Sequence, residues 1–173
     1  YKTPGSTGDR KTWTFSAWIK RGAMGATETL IGHYTDADNR LDIGFMATNT
    51  FYIYEREGAS TRWDFQTTQL FRDPSAWYHF VVAMDTTQSV EANRMKFYVN
   101  GTQVTVWTDE SYPALNLDTQ MNESGTDITI GGRSSNYFDG YMAEVVLLDG
   151  TAAAPTSFGE FDSDSPTIWK PID

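Results

Sequence analysis

Residues 12–20 read TWTFSAWIK, and the alternation in that stretch decides the fold class. Trp13, Phe15, Ala17 and Ile19 share one face of an extended chain, because strand side chains point to opposite sides in turn. Working outward, residues 28–34, 40–46 and 50–55 read as three more short strands. The turn-forming segments 35–39 and 47–49 separate them. Gly58-Ala59-Ser60 ends the third and leads into a strand over 61–67. After the stop at Asp73-Pro74, residues 77–85 are apolar on both faces, which predicts a central place in a sheet. Met95–Val99 is followed by Asn100-Gly101, the strongest hairpin signal in the chain, since a type I′ turn needs positive φ at both central residues. Residues 103–107 are predicted to return antiparallel to it, and 127–131 and 141–148 complete the count. Residues 155–161 offer the one stretch suited to a helical turn, with Pro155 at its first position.

About ten short strands and no convincing amphipathic helix predict an all-β protein, a two-sheet antiparallel sandwich. Its predicted core includes Trp13, Phe15, Ile19, Phe80, Val82, Phe97, Val99, Ile128 and Ile130. The 23 threonines and 25 aromatic residues support this reading, as both types favour strands. A chain of 173 residues with 39% hydrophobic residues suits one globular domain. Its net charge of −10 excludes generic nucleic-acid binding and a basic membrane-surface helix. No apolar run is long enough to insert through a bilayer as a helix. The absence of cysteine removes disulfides, thiolate catalysis and zinc ribbons, and fits folding in a reducing cytoplasm. The start at Tyr1 suggests a processed or partial chain.

The order of the motifs resembles a known family. Residues 12–22, then Trp77-x-His79, Val99-Asn100-Gly101, Phe138-x-Gly140 and Glu144-Val145 resemble the laminin-G-like and concanavalin A-like lectin/glucanase superfamily. The resemblance covers roughly residues 10–150 and implies a jelly-roll β-sandwich. Residues 3–22 and the run from Phe138 to Phe161 are similar to the version found in phage and marine-virus structural proteins. That narrower resemblance implies one domain over 1–173, with 155–173 a C-terminal extension, cut from a longer virion protein. It also implies a virion-surface location after folding in the host cytoplasm, with other virion proteins as partners and homo-oligomers in keeping.

Some relatives cleave glycans with a Glu-x-Asp-x-x-Glu strand, and a retaining glycosidase needs two carboxylates about 5 Å apart. Glu55-x-Glu57 lacks the third carboxylate, and Glu144 and Asp149 fall on opposite faces of a strand. The expectation is therefore a non-catalytic module. His79, inside an apolar strand, is expected to pack and make one interstrand hydrogen bond; His33 is expected near the surface. For calcium, which takes several oxygen ligands from loops, Asp36 and Asp38 lie in one turn-rich segment, and the family pattern adds Asp109 or Asp118. Sugar binding needs rings for stacking beside hydroxyl-binding groups, and the loop-borne candidates are Tyr34, Trp107, Tyr112, Asn136 and Tyr137. The expected function is carbohydrate recognition at a host surface, from a fibre or a head decoration. The alternative is a purely structural decoration or assembly domain, and the third reading a secreted adhesion module.

Overall fold

The protein is described here by a computed structural model covering residues 1–172. Its strands are β1 (Thr12–Arg21), β2 (Glu28–Asp36), β3 (Asn39–Phe45), β4 (Thr50–Glu57), β5 (Ser60–Leu70), β6 (Tyr78–Asp85), β7 (Met95–Val99) and β8 (Thr102–Gln103). There follow β9 (Trp107–Ser111), β10 (Ile128–Ile130), β11 (Gly132–Arg133), β12 (Asn136–Tyr137), β13 (Gly140–Asp149), β14 (Gly159–Phe161) and β15 (Trp169–Pro171). Helical structure among the described residues is confined to two short 3₁₀ turns, Glu91–Asn93 and Pro155–Ser157.

Two large antiparallel sheets make the jelly-roll sandwich. One has five strands in the order β13-β1-β6-β7-β8, and the other six in the order β10-β2-β3-β4-β5-β9. β6, apolar on both faces, is the middle strand of its sheet. Trp13, Phe15, Ala17 and Ile19 point inward from β1, opposite Ile31, Leu41, Ile43, Phe45, Phe51, Ile53 and Phe65 of the six-stranded sheet, and all are buried. At the centre Phe51 stacks on Phe80 and Phe97, with ring centroids 4.7 and 4.6 Å apart. The sheets are also joined by a buried ion pair. Arg21 of β1 meets Glu28 of β2 at 2.8 Å, donates to the Phe71 carbonyl at 2.8 Å, and lies 4.2 Å over the Phe45 ring. Asn100 and Gly101 both have positive φ (48° and 76°), as the predicted tight turn requires.

Four expectations change. After the β7–β8 hairpin only Thr102–Gln103 return beside β7; the chain then crosses, and β9 pairs with β5 of the opposite sheet. The Trp107 ring, edge-on to Phe65 at 5.0 Å, fixes that crossing. Ile130 is 53% exposed, because it ends a three-residue edge strand where the chain bends away through two positive-φ glycines, Gly131 and Gly132. His33 is buried: it alternates with Gly32 and pairs with Leu41, so it faces inward, and burial holds its pKa below the ordinary value. Residues 155–161 form a single 3₁₀ turn followed by β14, which pairs with β15.

Candidate functional site

Three consecutive strands build the outer face of the six-stranded sheet. In β3, Leu41, Ile43 and Phe45 enter the core, which turns Arg40 and Asp42 outward. β4 buries Phe51 and Ile53 and presents Tyr52 and Tyr54. β5 buries Trp63 and Phe65 and presents Asp64 and Gln66. Register aligns these residues in two rows, Asp42–Tyr54–Asp64 and Gly44–Tyr52–Gln66. Gly44 carries no side chain because the Glu28 backbone of β2 lies directly over it, where any Cβ would overlap the carbonyl. Arg133 of β11 leans in from the sheet margin, and Asn136 of β12 stands next to it. Together they line a groove of about 320 Å³.

Asp42 organises the charges. Its buried carboxylate accepts a guanidinium fork from Arg133 (Nη2 to Oδ2, 2.6 Å) and forms an ion pair with Arg40, whose Nε lies 3.2 Å away. Each arginine also lies over a ring: Arg133 is 4.9 Å from the Tyr34 centroid and Arg40 is 5.3 Å from that of Tyr54. The donors of two guanidinium groups outnumber what one carboxylate can accept, so donor capacity remains on residues that line the groove. Burial, helped by the Asp42 charge, pushes the Tyr52 phenol up to about 12, so it keeps its proton. Burial and then the nearby Asp109 carboxylate raise Asp64 above the usual carboxylate value. Gln66 donates to Thr50 at 2.8 Å, which fixes its amide. The face thus combines hydrogen-bond donors, acceptors and tyrosine rings within one shallow groove.

The residues expected to form a sugar site fall in three places. Asn136 lines this groove, and Tyr34 stands beside it under the Arg133 guanidinium. Tyr137 is 69% exposed and packs against Gly132, on the other side of the short β12 strand. Trp107 and Tyr112 set their rings edge-on to Phe65, at 5.0 and 4.9 Å, and close the margin of the core. Tyr112 spends its hydroxyl on Glu110 at 2.8 Å. The calcium trio does not converge. Asp36 accepts from the Asp38 backbone N–H (2.8 Å) and the Asn39 amide (3.0 Å), bonds that hold its pKa low and cap its own turn. Asp38 pairs with Arg56 at 3.2 Å, Asp109 stands in β9 opposite Gln66, and Asp118 lies 3.9 Å from Lys11. No group of three or more His, Cys, Asp or Glu among the described residues is arranged to hold a metal ion.

The carboxylates weighed for catalysis are also placed. Glu55 is fully buried on the inner face of β4, where it accepts from the Gln120 backbone N–H at 2.9 Å. Arg62 bridges it to exposed Glu57, at 2.9 and 3.0 Å. Burial raises the Glu55 pKa to about 7. Glu144 and Asp149 belong to the opposite sheet. Sequence reasoning missed Arg40, Asp42, Tyr52, Tyr54, Asp64, Gln66 and Arg133. A signal existed for six of them: three consecutive strands place charged, amide or tyrosine side chains at alternate positions, opposite an apolar face.

Comparison with known proteins agrees with this architecture. A family model described as the concanavalin A-like lectin/glucanases superfamily matches residues 1–155. The CBM40 of the Ruminococcus gnavus IT-sialidase superposes with a TM-score of 0.62 at 12% identity, covering 86% of this chain and 81% of that one. The same module has been solved bound to α2,3-sialyllactose. Domain 4 of an extracellular arabinanase from Geobacillus stearothermophilus, solved with arabinotriose, gives 0.57 at 13% identity over 86% of this chain, which spans 64% of that one. A heptameric SAP-like pentraxin from Limulus polyphemus gives 0.53 at 14% identity, over 84% and 67%. At these identities the likeness is one of fold. A search of curated protein sequences gives no significant match.

Proposed function

Because this chain belongs to the concanavalin A-like lectin/glucanase superfamily, we propose that its open six-stranded face is a non-catalytic carbohydrate-binding surface. The observation that carries this reading is the alignment of Arg40/Asp42, Tyr52/Tyr54 and Asp64/Gln66 on adjacent strands under Arg133. A sugar hydroxyl both donates and accepts, and a pyranose has an apolar face. The groove answers with guanidinium and amide donors, the Asp64 acceptor and tyrosine rings. Solved neighbours that carry arabinotriose and sialyllactose support the same reading. The motif resemblance further supports a place in a longer virion protein that touches host-surface glycans.

A glycan array with the intact chain tests this. Binding is expected, with loss in both Tyr54→Ala and Arg133→Ala and no change on adding a chelator, since arginines already neutralise Asp42. No glycan signal, or a signal that survives both substitutions and disappears with Trp107→Ala, overturns the groove as the site. Release of reducing sugar from any bound polysaccharide would overturn the non-catalytic part. Binding of purified virion proteins without glycan would favour the assembly reading.

A further inference from the structure

The five-stranded sheet ends on β13, and this margin differs from the other three of the sandwich. β8 is two residues long. β10 has three residues and is bridged by Lys2, and β9 carries Asp109 and Glu110. Short, covered or charged strands are the usual ways in which a sheet margin is closed to further pairing. β13 runs for ten residues, pairs with β1 alone, and has neither a proline nor a basic side chain. Its second half reads Val145-Val146-Leu147-Leu148, and all four residues are partly exposed.

The backbone of this half is open as well. Between β1 and β13 the Gly150 N–H donates to the Thr12 carbonyl at 3.0 Å. Antiparallel ladders alternate, so Leu148 and Val146 direct their N–H and C=O groups at Thr14 and Ser16 of β1. Leu147 and Asp149 direct theirs away from the sheet. The far side of β1 agrees: the Thr86 N–H donates to the Lys11 carbonyl at 3.0 Å, which gives Trp13 and Phe15, opposite Asp149 and Leu147, to β6. No hydrogen bond among the described residues occupies the outward main-chain groups of Leu147 and Asp149. The bulge at Glu144, with φ of +49°, lies before this run, and Val146–Asp149 keep an unbroken register with β1.

From this we infer that β13 is a docking edge for a second copy of this chain, paired antiparallel about a two-fold axis at Leu147. An antiparallel edge is complementary to itself under such an axis. With Leu147 on the axis, Val146 faces Leu148 of the second copy and Val145 faces its Asp149. Apolar side chains meet in the middle, and neither Glu144 nor Asp149 stands opposite another carboxylate. That match commits the edge to a second copy, since an unrelated strand would satisfy the ladder without it. Strands joined this way merge the two five-stranded sheets into one and leave both six-stranded sheets on the same side of it. Both grooves then open in one direction, a consequence that rests on the glycan reading.

The test is analytical ultracentrifugation of the full chain from about 10 μM to about 1 mM, with amide hydrogen exchange at both ends of that range. The paired strip is short, so a dimer with Kd of about 100 μM is expected. It should tighten as sodium chloride is raised, because each copy carries a net charge of −10. The Leu147 amide should exchange at least about tenfold more slowly in the concentrated sample, whereas the Leu148 amide, bonded to β1, should be equally protected in both. Val146→Lys and Leu148→Glu, each checked for folding by near-UV circular dichroism, should weaken the dimer by about tenfold. An equimolar mixture of the two should recover it, because the axis sets the substituted positions face to face with opposite charges. Tyr54→Ala, on the sugar groove, should leave the dimer unchanged, so the two proposals fail separately. A monomer throughout the range, a dimer whose Leu147 amide exchanges as fast as in the monomer, or no recovery in the mixture of folded variants would overturn the proposal.

Discussion

The outer face of the five-stranded sheet carries Thr14, Ser16, Trp18, His79 and Val81, and every one of them is buried. The outer face of the six-stranded sheet carries Arg40, Tyr54, Asp64 and Gln66, each partly open to solvent. The first face is covered by the chain itself. The arm after Pro155 runs back across it, and the Trp169 indole slots against Gly101 and Gly159, where any Cβ would overlap the ring. Its N–H donates to Nδ1 of His79 at 3.0 Å, and Nε2 of the same ring meets Ser16 Oγ at 2.9 Å. His79 is thereby held as the neutral tautomer with its proton on Nε2. A sheet apolar on both sides needs a cover, whereas one with arginines and tyrosines outside can stay open for a ligand.

The sharpest way to break this contrast is to remove the cover. Trp169→Ala deletes a buried indole and leaves His79 Nδ1 without its donor. It should cost about 3–5 kcal/mol in chemical denaturation. A change below about 1 kcal/mol would show that the arm is not a structural part of the sandwich.

His79 and Glu55, one in each sheet, should also respond oppositely to pH. Burial lowers the His79 pKa from 6.5 to about 4. The unfolded chain therefore takes up a proton first, and the stability present above pH 6.5 is lost as pH falls toward 4, by about 2–3 kcal/mol. Burial raises Glu55, inside the other sheet, from 4.5 to about 7. In that case the folded state keeps its proton longer, so stability is full below pH 4.5 and lost as pH rises toward 7. Between pH 4.5 and 6.5 the two slopes cancel in large part. Stability in His79→Gln should then fall with rising pH, and in Glu55→Gln it should rise. Parallel slopes in the two variants would refute the assignment.

How far all this was legible in the sequence follows from the same contrast. Alternation in β1, the Asn100-Gly101 turn and the central β6 are local signals, and each led to the right element. His79 was correctly read as a packed, hydrogen-bonded side chain. The apolar outer side of residues 77–85 signals centrality and also calls for a covering segment. Which segment covers it depends on Trp169 reaching residue 79 across 90 positions of chain, and no local pattern encodes that. The groove on the six-stranded face is hidden from local reading for a related reason. Arg133 reaches Asp42 across 91 positions, and tyrosines on half-buried strands look like ordinary strand residues until the open face is known. The loop aromatics drew attention because loops commonly carry function. Two of them, Trp107 and Tyr112, instead seal the margin of the core against Phe65.

The smallest expected effect makes the finest distinction between the faces. Trp107 is half-buried and packs on both Phe65 and Phe97, at 5.0 and 6.0 Å. Trp107→Ala should therefore cost about 2–3 kcal/mol of stability while glycan binding by the folded fraction persists. Tyr54 stands on the open face with Arg40 above its ring. Tyr54→Ala removes a stacking surface and one exposed cation–π contact, so its cost should stay within about 1 kcal/mol. Its glycan affinity should nevertheless collapse. Melting curves and glycan binding measured on both variants give a crossed pattern, stability lost at one site and recognition at the other. If Tyr54→Ala destabilised the protein as much as Trp107→Ala did, the six-stranded face would be a supporting surface like its counterpart, and the groove would lose its claim to a ligand.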